Sequence, residues 1–198
     1  MTRVYFVRHA QPEHDWEEDR TRPLTEEGKK DSEIVLEFLN DKKIDAFYCS
    51  PYKRSKDTIA EAADFFTKEI ITDERLRERE KGLDGNNHGM FRKRWADHNY
   101  HEEGGESIAM VQKRNIEALN EILSDNTDKD IVIGTHGTAL STILNFYDNS
   151  FGCEDFLRII DWMPYIIELD FEGDKLIAKQ EHCYIEKEFK GKQRADKK

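Results

Sequence analysis

Val4-Tyr5-Phe6-Val7-Arg8-His9-Ala10 is a short apolar, β-branched and aromatic run that stops on a cation and an imidazole. It is too brief for a helix and reads as a buried strand. Two later runs repeat the pattern. Ala46-Phe47-Tyr48-Cys49 ends at Ser50-Pro51, and Ile131-Val132-Ile133 ends at Gly134-Thr135-His136-Gly137. A weaker strand surrounds Ile70-Ile71. Helical patterns fill the intervals. Thr25-Glu26-Glu27 supplies a cap and first-turn acids for a helix with Ile34, Val35, Phe38 and Leu39 on one face. Pro51 is expected at the first position of the next helix, whose inner stripe is Ile59, Ala62, Ala63 and Phe66. Gly104-Gly105-Glu106-Ser107 leads into a long helix with Ile108, Val111, Leu119 and Ile122 inward, and another follows His136 to about Tyr147. Strands alternating with helices predict a three-layer α/β/α fold with a mainly parallel central sheet. A closing hairpin of Ile166-Ile167-Glu168-Leu169 and Leu176-Ile177-Ala178 adds an antiparallel edge.

The chain has 198 residues, enough for one domain. Residues 1–185 are expected to form it, with a lid excursion at about 86–103 and a polar, frayed tail over 186–198. The formal net charge is −11, which argues against nucleic acid as a partner, since that affinity needs many Lys and Arg on one face. An anionic substrate must then be held by a local positive pocket. No apolar stretch approaches the ~20 residues that cross a bilayer, so no membrane role is expected. Met1-Thr2-Arg3-Val4 carries no leader pattern, and Cys49, Cys153 and Cys183 are odd in number and far apart. Free thiols and a cytoplasmic location are expected. Nothing in the sequence sets an oligomeric state.

In open α/β sheets, ligands sit outside the carboxyl ends of the strands. Here those ends carry Arg8-His9, Ser50 with Arg54 one helical turn on, and His136. Two guanidiniums suit a phosphoryl group, which they engage by charge-assisted hydrogen bonds, and helix N-termini add N–H donors. One histidine can attack phosphorus while the other steadies its oxygens. A proton donor for the leaving alcohol is still needed. Glu74-Arg75-Leu76-Arg77-Glu78-Arg79-Glu80 offers three carboxylates, and composition does not choose among them.

At this point the residues resemble a family. Arg8-His9-Ala10 is similar to the RHG/RHA signature of the histidine phosphatase superfamily, the phosphoglycerate-mutase-like proteins. Pro23-Leu24-Thr25-Glu26-Glu27-Gly28 resembles its PLTxxG segment, and Ser50-Pro51-Tyr52-Lys53-Arg54-Ser55-Lys56-Asp57-Thr58 its SPxxRxxxT segment. Leu76-Arg77-Glu78 with Gly82 resembles LxExxxG, Gly105-Glu106-Ser107 with Arg114 resembles GES and a distant arginine, and Thr135-His136-Gly137 the second-histidine motif. The resemblance implies His9 as nucleophile, Glu78 as acid and then base, and Arg8, Arg54 and His136 as holders of the phosphoryl oxygens. Gly137 and Thr138 are expected to border the substrate. Two positions depart from the pattern. Asp15 stands where the family often has Asn, and is expected to face the substrate and repel a second phosphate. Leu83-Asp84-Gly85 replaces an aromatic-Glu-Gly ending.

The resemblance implies phosphomonoester hydrolysis through a phosphohistidine, on a small phosphorylated substrate, without metal or cofactor. The short interval from Lys81 to Glu103 favours a phosphatase over a phosphoglycerate mutase-type transferase, which needs a closed lid. A protein phosphohistidine phosphatase and a catalytically idle phospho-binding protein are the other readings. Bland readings cover the remaining motifs. His98-Asn99-Tyr100-His101 lacks a metal-ligand set, Glu13 to Asp19 is a solvated acidic rim, and Arg92-Lys93-Arg94 is the outer face of a short helix.

Overall fold

A computed structural model of the chain describes residues 1–83 and 90–188. Its strands are β1 (Thr2–Arg8), β2 (Ala46–Cys49), β3 (Ile70–Thr72), β4 (Asp130–Thr135), β5 (Trp162–Glu172) and β6 (Lys175–Glu186). Its α-helices are α1 (Glu26–Asp31), α2 (Glu33–Leu39), α3 (Lys53–Phe65), α4 (Phe91–Ala96), α5 (Ile108–Asp125), α6 (Gly137–Tyr147) and α7 (Cys153–Ile159). The strands make one sheet in the order β3-β2-β4-β1-β5-β6. The first four run parallel, and β5 and β6 add the antiparallel edge.

Alternation along each strand builds the two outer layers. Val4, Phe6, Ile131, Ile133, Ile167 and Leu169 face α5, α6 and α7 in one core. Their neighbours Tyr5, Val7, Val132 and Ile166 pack with Phe47 against α2 and α3 in the other. A central strand buried on both faces is apolar at every position, which is why these runs stand out in the sequence.

Register decides where the site falls. Arg8 lies opposite Thr135 and Cys49 opposite Gly134, so β1, β4 and β2 end in one row. The row is stitched just past the strands: His9 N–H donates to Thr135 O at 3.2 Å and Ser50 N–H to Gly134 O at 3.1 Å.

Four local readings change. The helix expected from Thr25 is two, divided at Ser32, whose hydroxyl donates to Lys29 O at 2.6 Å in competition with the helical ladder. The Thr25 cap is as expected, accepting from Gly28 N–H at 2.8 Å. Pro51 precedes its helix rather than opening it. Ser50 Oγ accepts from Tyr52 N–H at 3.2 Å, and this turn delays the helix to Lys53. The hairpin is much longer than the apolar residues suggested, because β6 is an exposed edge whose charged side chains hide its strand character. The polar tail also begins later than expected. Glu186 ends β6, and buried Lys187 donates its N–H to Asp161 O at 2.8 Å and pairs with Glu27 at 2.7 Å and with Asp31. Within the lid excursion, residues 84–89 lie outside the described residues.

Candidate active site

His9 sits on the first residues past β1, where its backbone is fixed from two sides. Thr58 Oγ, which donates to Arg54 O at 2.7 Å, accepts from Ala10 N–H at 3.0 Å. The His9 ring is fixed as well. Nδ1 lies 2.7 Å from Ala10 O, and a carbonyl only accepts, so Nδ1 carries the proton. Nε2 is left with its lone pair and accepts from Arg54 Nε at 3.3 Å. Burial, reinforced by the Arg54 and Arg8 charges, holds the imidazole well below the usual histidine range. The structure therefore presents a neutral imidazole with an unprotonated Nε2.

The His136 ring meets the His9 ring edge-on, with centroids 5.2 Å apart. Ser50 already accepts from Tyr52 N–H, so its hydroxyl proton can go to His136 Nε2, 2.7 Å away. Nδ1 then carries the ring proton. It is buried and has no hydrogen-bond partner among the described residues. His136 is itself fully buried and does not line the cavity surface. Burial, then Arg54, His9 and Arg8, pushes it well below the usual range too.

Arg8 donates to Ile159 O at 2.6 Å and Ile160 O at 2.8 Å, carbonyls at the end of α7. A helix C-terminus favours a cation there. Gly137 makes room for it: a Cβ at this position would stand 3.0 Å from an Arg8 terminal nitrogen. Arg54 donates to Asp19 O at 2.7 Å and contacts the Asp19 carboxylate at 3.3 Å. Arg22 and Lys81 reach the same carboxylate, at 3.3 and 3.8 Å.

Glu78 enters from the far side, on the segment after the 3-10 turn Glu74–Leu76. Its carboxylate accepts from the backbone N–H of Arg79 at 2.7 Å, Thr138 at 3.0 Å and Ala139 at 3.1 Å, the last two at the start of α6. An anion is favoured at that helix end. Arg114 clamps the Glu78 backbone. It donates to the carbonyls of Arg75 and Arg77 at 2.7 Å and of Glu78 at 3.0 Å, and grips Glu106 with two further bonds of 2.8 Å. Glu106 also takes Arg77 at 2.9 Å and Glu80 N–H at 3.0 Å. Gly82 follows with φ +68°, and any Cβ there would lie 2.6 Å from Glu103 O. The spacing of the acid motif thus has a steric reason.

These groups enclose a cavity of about 230 Å³. Arg8, His9, Arg54, Glu78, Gly137 and Thr138 line it together, as expected for neighbours. Asp15 does not. It is exposed in a bend, and the cavity is lined from this loop by His14 and Asp19 instead. The side chain expected to repel a second phosphate is therefore outside the pocket. Arg94 corrects a second reading. It is buried rather than outward, and shares Glu102 with buried Arg79. Phe91, Trp95, Phe156 and Met163 give the cavity an apolar wall. Asp19, Lys81 and Arg79 went unread because their partners Arg54, Asp19 and Glu102 are remote in sequence. Arg114 was visible as a motif position, without a task. His98 packs on Trp95, and His101 Nδ1 donates to Glu102 O at 3.0 Å. Among the described residues no group of three or more His, Cys, Asp or Glu is placed to hold a metal ion. None of their helices is long and apolar enough to cross a membrane.

Known proteins share this architecture. Phosphoserine phosphatase from Entamoeba histolytica, in complex with 3-phosphoglyceric acid, superposes with a TM-score of 0.74 at 21% identity over 93% of this chain and 96% of its own. A mycobacterial glucosyl-3-phosphoglycerate phosphatase gives 0.69 at 17% identity, covering 90% and 96%. These likenesses establish the phosphoglycerate mutase-like α/β fold. In sequence, the chain is 29% identical to phosphoserine phosphatase 1 of Hydrogenobacter thermophilus over 154 residues, 69% of this chain and 71% of the relative. A model of the histidine phosphatase superfamily, branch 1, matches residues 4–160. The chain belongs to that superfamily, and it is a phosphomonoester hydrolase.

Proposed function

We propose that the protein hydrolyses a small phosphorylated metabolite in two steps through a phosphohistidine on His9. The observation that carries this reading is the His9 tautomer: Nδ1–H is tied to Ala10 O, leaving the Nε2 lone pair beside Arg54. In the first step Nε2 bonds to phosphorus and the ester P–O bond breaks. Arg8, Arg54 and the Nδ1–H of His136, which has no partner among the described residues, hold the nonbridging oxygens, and Gly137 and Thr138 border the substrate. Arg54 reaches these oxygens by exchanging its bonds to Asp19.

Glu78 gives its proton to the leaving oxygen, which departs as an alcohol. In the second step water attacks phosphorus, the N–P bond breaks, and the water proton returns to Glu78. The geometry favours Glu78 over Asp19 for this exchange. Among the described residues, every hydrogen bond to Glu78 comes from a neutral backbone donor, whereas Asp19 faces three cations. The three cysteines are free, which suits work in a reducing, cytoplasmic compartment.

The relatives named for phosphoserine and glucosyl-3-phosphoglycerate support a small metabolite as substrate. A 55-residue stretch that is 44% identical to a 2,3-bisphosphoglycerate-dependent phosphoglycerate mutase of Thermoplasma acidophilum supports the transferase as second reading. A panel of phosphomonoesters assayed in EDTA separates the two. Release of inorganic phosphate, unaffected by the chelator, is the expected result. Isomerisation of 3-phosphoglycerate with no phosphate release would favour the mutase, and activity restored only by a divalent metal would overturn the mechanism.

A further inference from the structure

Two supports outside the sheet hold Arg8 and His9, and one remote residue is tied to both. The first support is the corner between α7 and β5. Its carbonyls at Ile159 and Ile160 accept from Arg8 at 2.6 and 2.8 Å. The corner lies beyond the β1–β5 ladder, whose last pair is Arg8 with Tyr165, and the β5–β6 register shifts between Trp162 and Tyr165. The next carbonyl, Asp161 O, accepts from Lys187 N–H at 2.8 Å.

The second support is α1, which leans on the backbone two residues past His9. Thr25 N–H donates to Gln11 O at 3.0 Å, and a Cβ on Gly28 would overlap that oxygen. The Lys187 ammonium is fastened to this helix. It lies 2.7 Å from Glu27, 160 residues away in the chain, and against Asp31.

Lys187 is 8% exposed, just past a strand whose side chains mostly face water. A lysine is seldom buried unless paired, because its ammonium gives up hydration. Glu27 and Asp31, four residues apart on one helix face, offset that loss together. Burial lowers the Lys187 pKa, but Asp31 and Glu27 outweigh it and keep the ammonium charged. Because backbone tie and side-chain tie belong to one residue, α1 and the Asp161 corner cannot shift independently.

We propose that Lys187 is a positioning residue for the active site, joining the corner that holds Arg8 to the helix that backs His9. It touches no substrate, and the inference rests on the phosphomonoesterase reading above.

Lys187→Met keeps the backbone donor and removes the cation. On the best ester of the panel, kcat should fall about tenfold with KM rising less than about threefold, the scale on which a slightly misplaced reacting group loses rate. Lys187→Arg, which keeps the charge, should recover most of the loss. The His9 ring supplies a readout without turnover. Nitrogen-15 spectra of the wild type should show Nδ1 protonated and Nε2 bare. In Lys187→Met the two signals should move toward the average of an exchanging ring, and in Lys187→Arg they should return. A folded Lys187→Met with unchanged kcat would overturn the proposal, whatever its unfolding midpoint, because a merely structural lysine moves only the midpoint. Should Lys187→Met fail to fold, Glu27→Gln carries the same comparison with a loss of about threefold, the worth of an exposed ion pair. A wild type that hydrolyses no ester, with His9 signals that still move in Lys187→Met, would overturn the phosphatase reading and uphold the positioning role.

Discussion

The two sides of the cavity are built on different physics. On the strand-end side, His9, His136 and Arg8 are held by backbone carbonyls, one hydroxyl and near-complete burial. On the opposite side, Glu78 rests on a segment fastened by ion pairs, with Arg114 and Arg77 on Glu106 and Arg79 and Arg94 on Glu102. Hydrogen-bonded strand ends position a ring with little freedom to relax. Charge pairs position by opposition, and removing one partner strands the other. Substitutions on the two sides should therefore fail differently.

The largest effect belongs to the strand-end side. Arg54→Met removes the donor to His9 Nε2 and one cation from the proposed phosphoryl site. Steady-state kinetics should show kcat/KM down by on the order of a hundredfold or more, with thermal stability little changed. A loss of folding in place of activity would merge the two sides into one.

Arg114→Met should behave oppositely. The clamp on three carbonyls and Glu106 is nearly buried, and breaking such a pair costs about 3–5 kcal/mol. Urea unfolding should register that loss, with kcat falling more than KM as Glu78 loses its alignment. Arg114→Lys keeps the charge without the fork and should recover only part. An unchanged kcat would show that Glu78 is positioned by its α6 contacts alone.

Acid sharpens the contrast. Both histidines are held below their unfolded range, so the unfolded chain binds more protons as pH falls past about 6.5. Stability is fully present above that value and declines below it, by up to about 1.4 kcal/mol per pH unit for each histidine. Urea midpoints measured from pH 7.5 to 5 should follow this decline, and His136→Gln should flatten it. A flat wild-type profile would mean the rings are protonated in the folded state.

The smallest effect tests the acidic loop. Asp15→Asn should leave kinetics on mono- and bisphosphates alike unchanged, because Asp15 lies outside the cavity lining. A gain confined to bisphosphates would restore it to the substrate's path.

The same division explains what was legible. Buried parallel strands are apolar at every position, so Val4 to Val7 and Ile131 to Ile133 announced themselves, and the residues just past them fell into one site by topology. Helix α7 was not seen. It is seven residues long, and its Gly152 cap is closed by the Asp155 side chain, a signal of one hydrogen bond. The ion-pair side was read only as charge. Arg114 lies 36 residues from the Glu78 carbonyl it clamps, and Arg54 lies 35 from Asp19. Linear spacing carries periodicity and local caps, but not which of many arginines meets which of many carboxylates. Asp15 was misplaced for that reason: four residues on, Asp19 does the pairing.

The central claim is that His9 Nε2 takes the phosphoryl group. Rapid quench of the wild-type enzyme with phosphorus-labelled substrate, followed by mapping of the labelled peptide, tests it most directly. The expected result is a burst of labelled enzyme that is stable in base and labile in acid, localised to His9 and absent from His9→Ala. Steady phosphate release with no labelled enzyme at any quench time, or label on a residue other than His9, would contradict it.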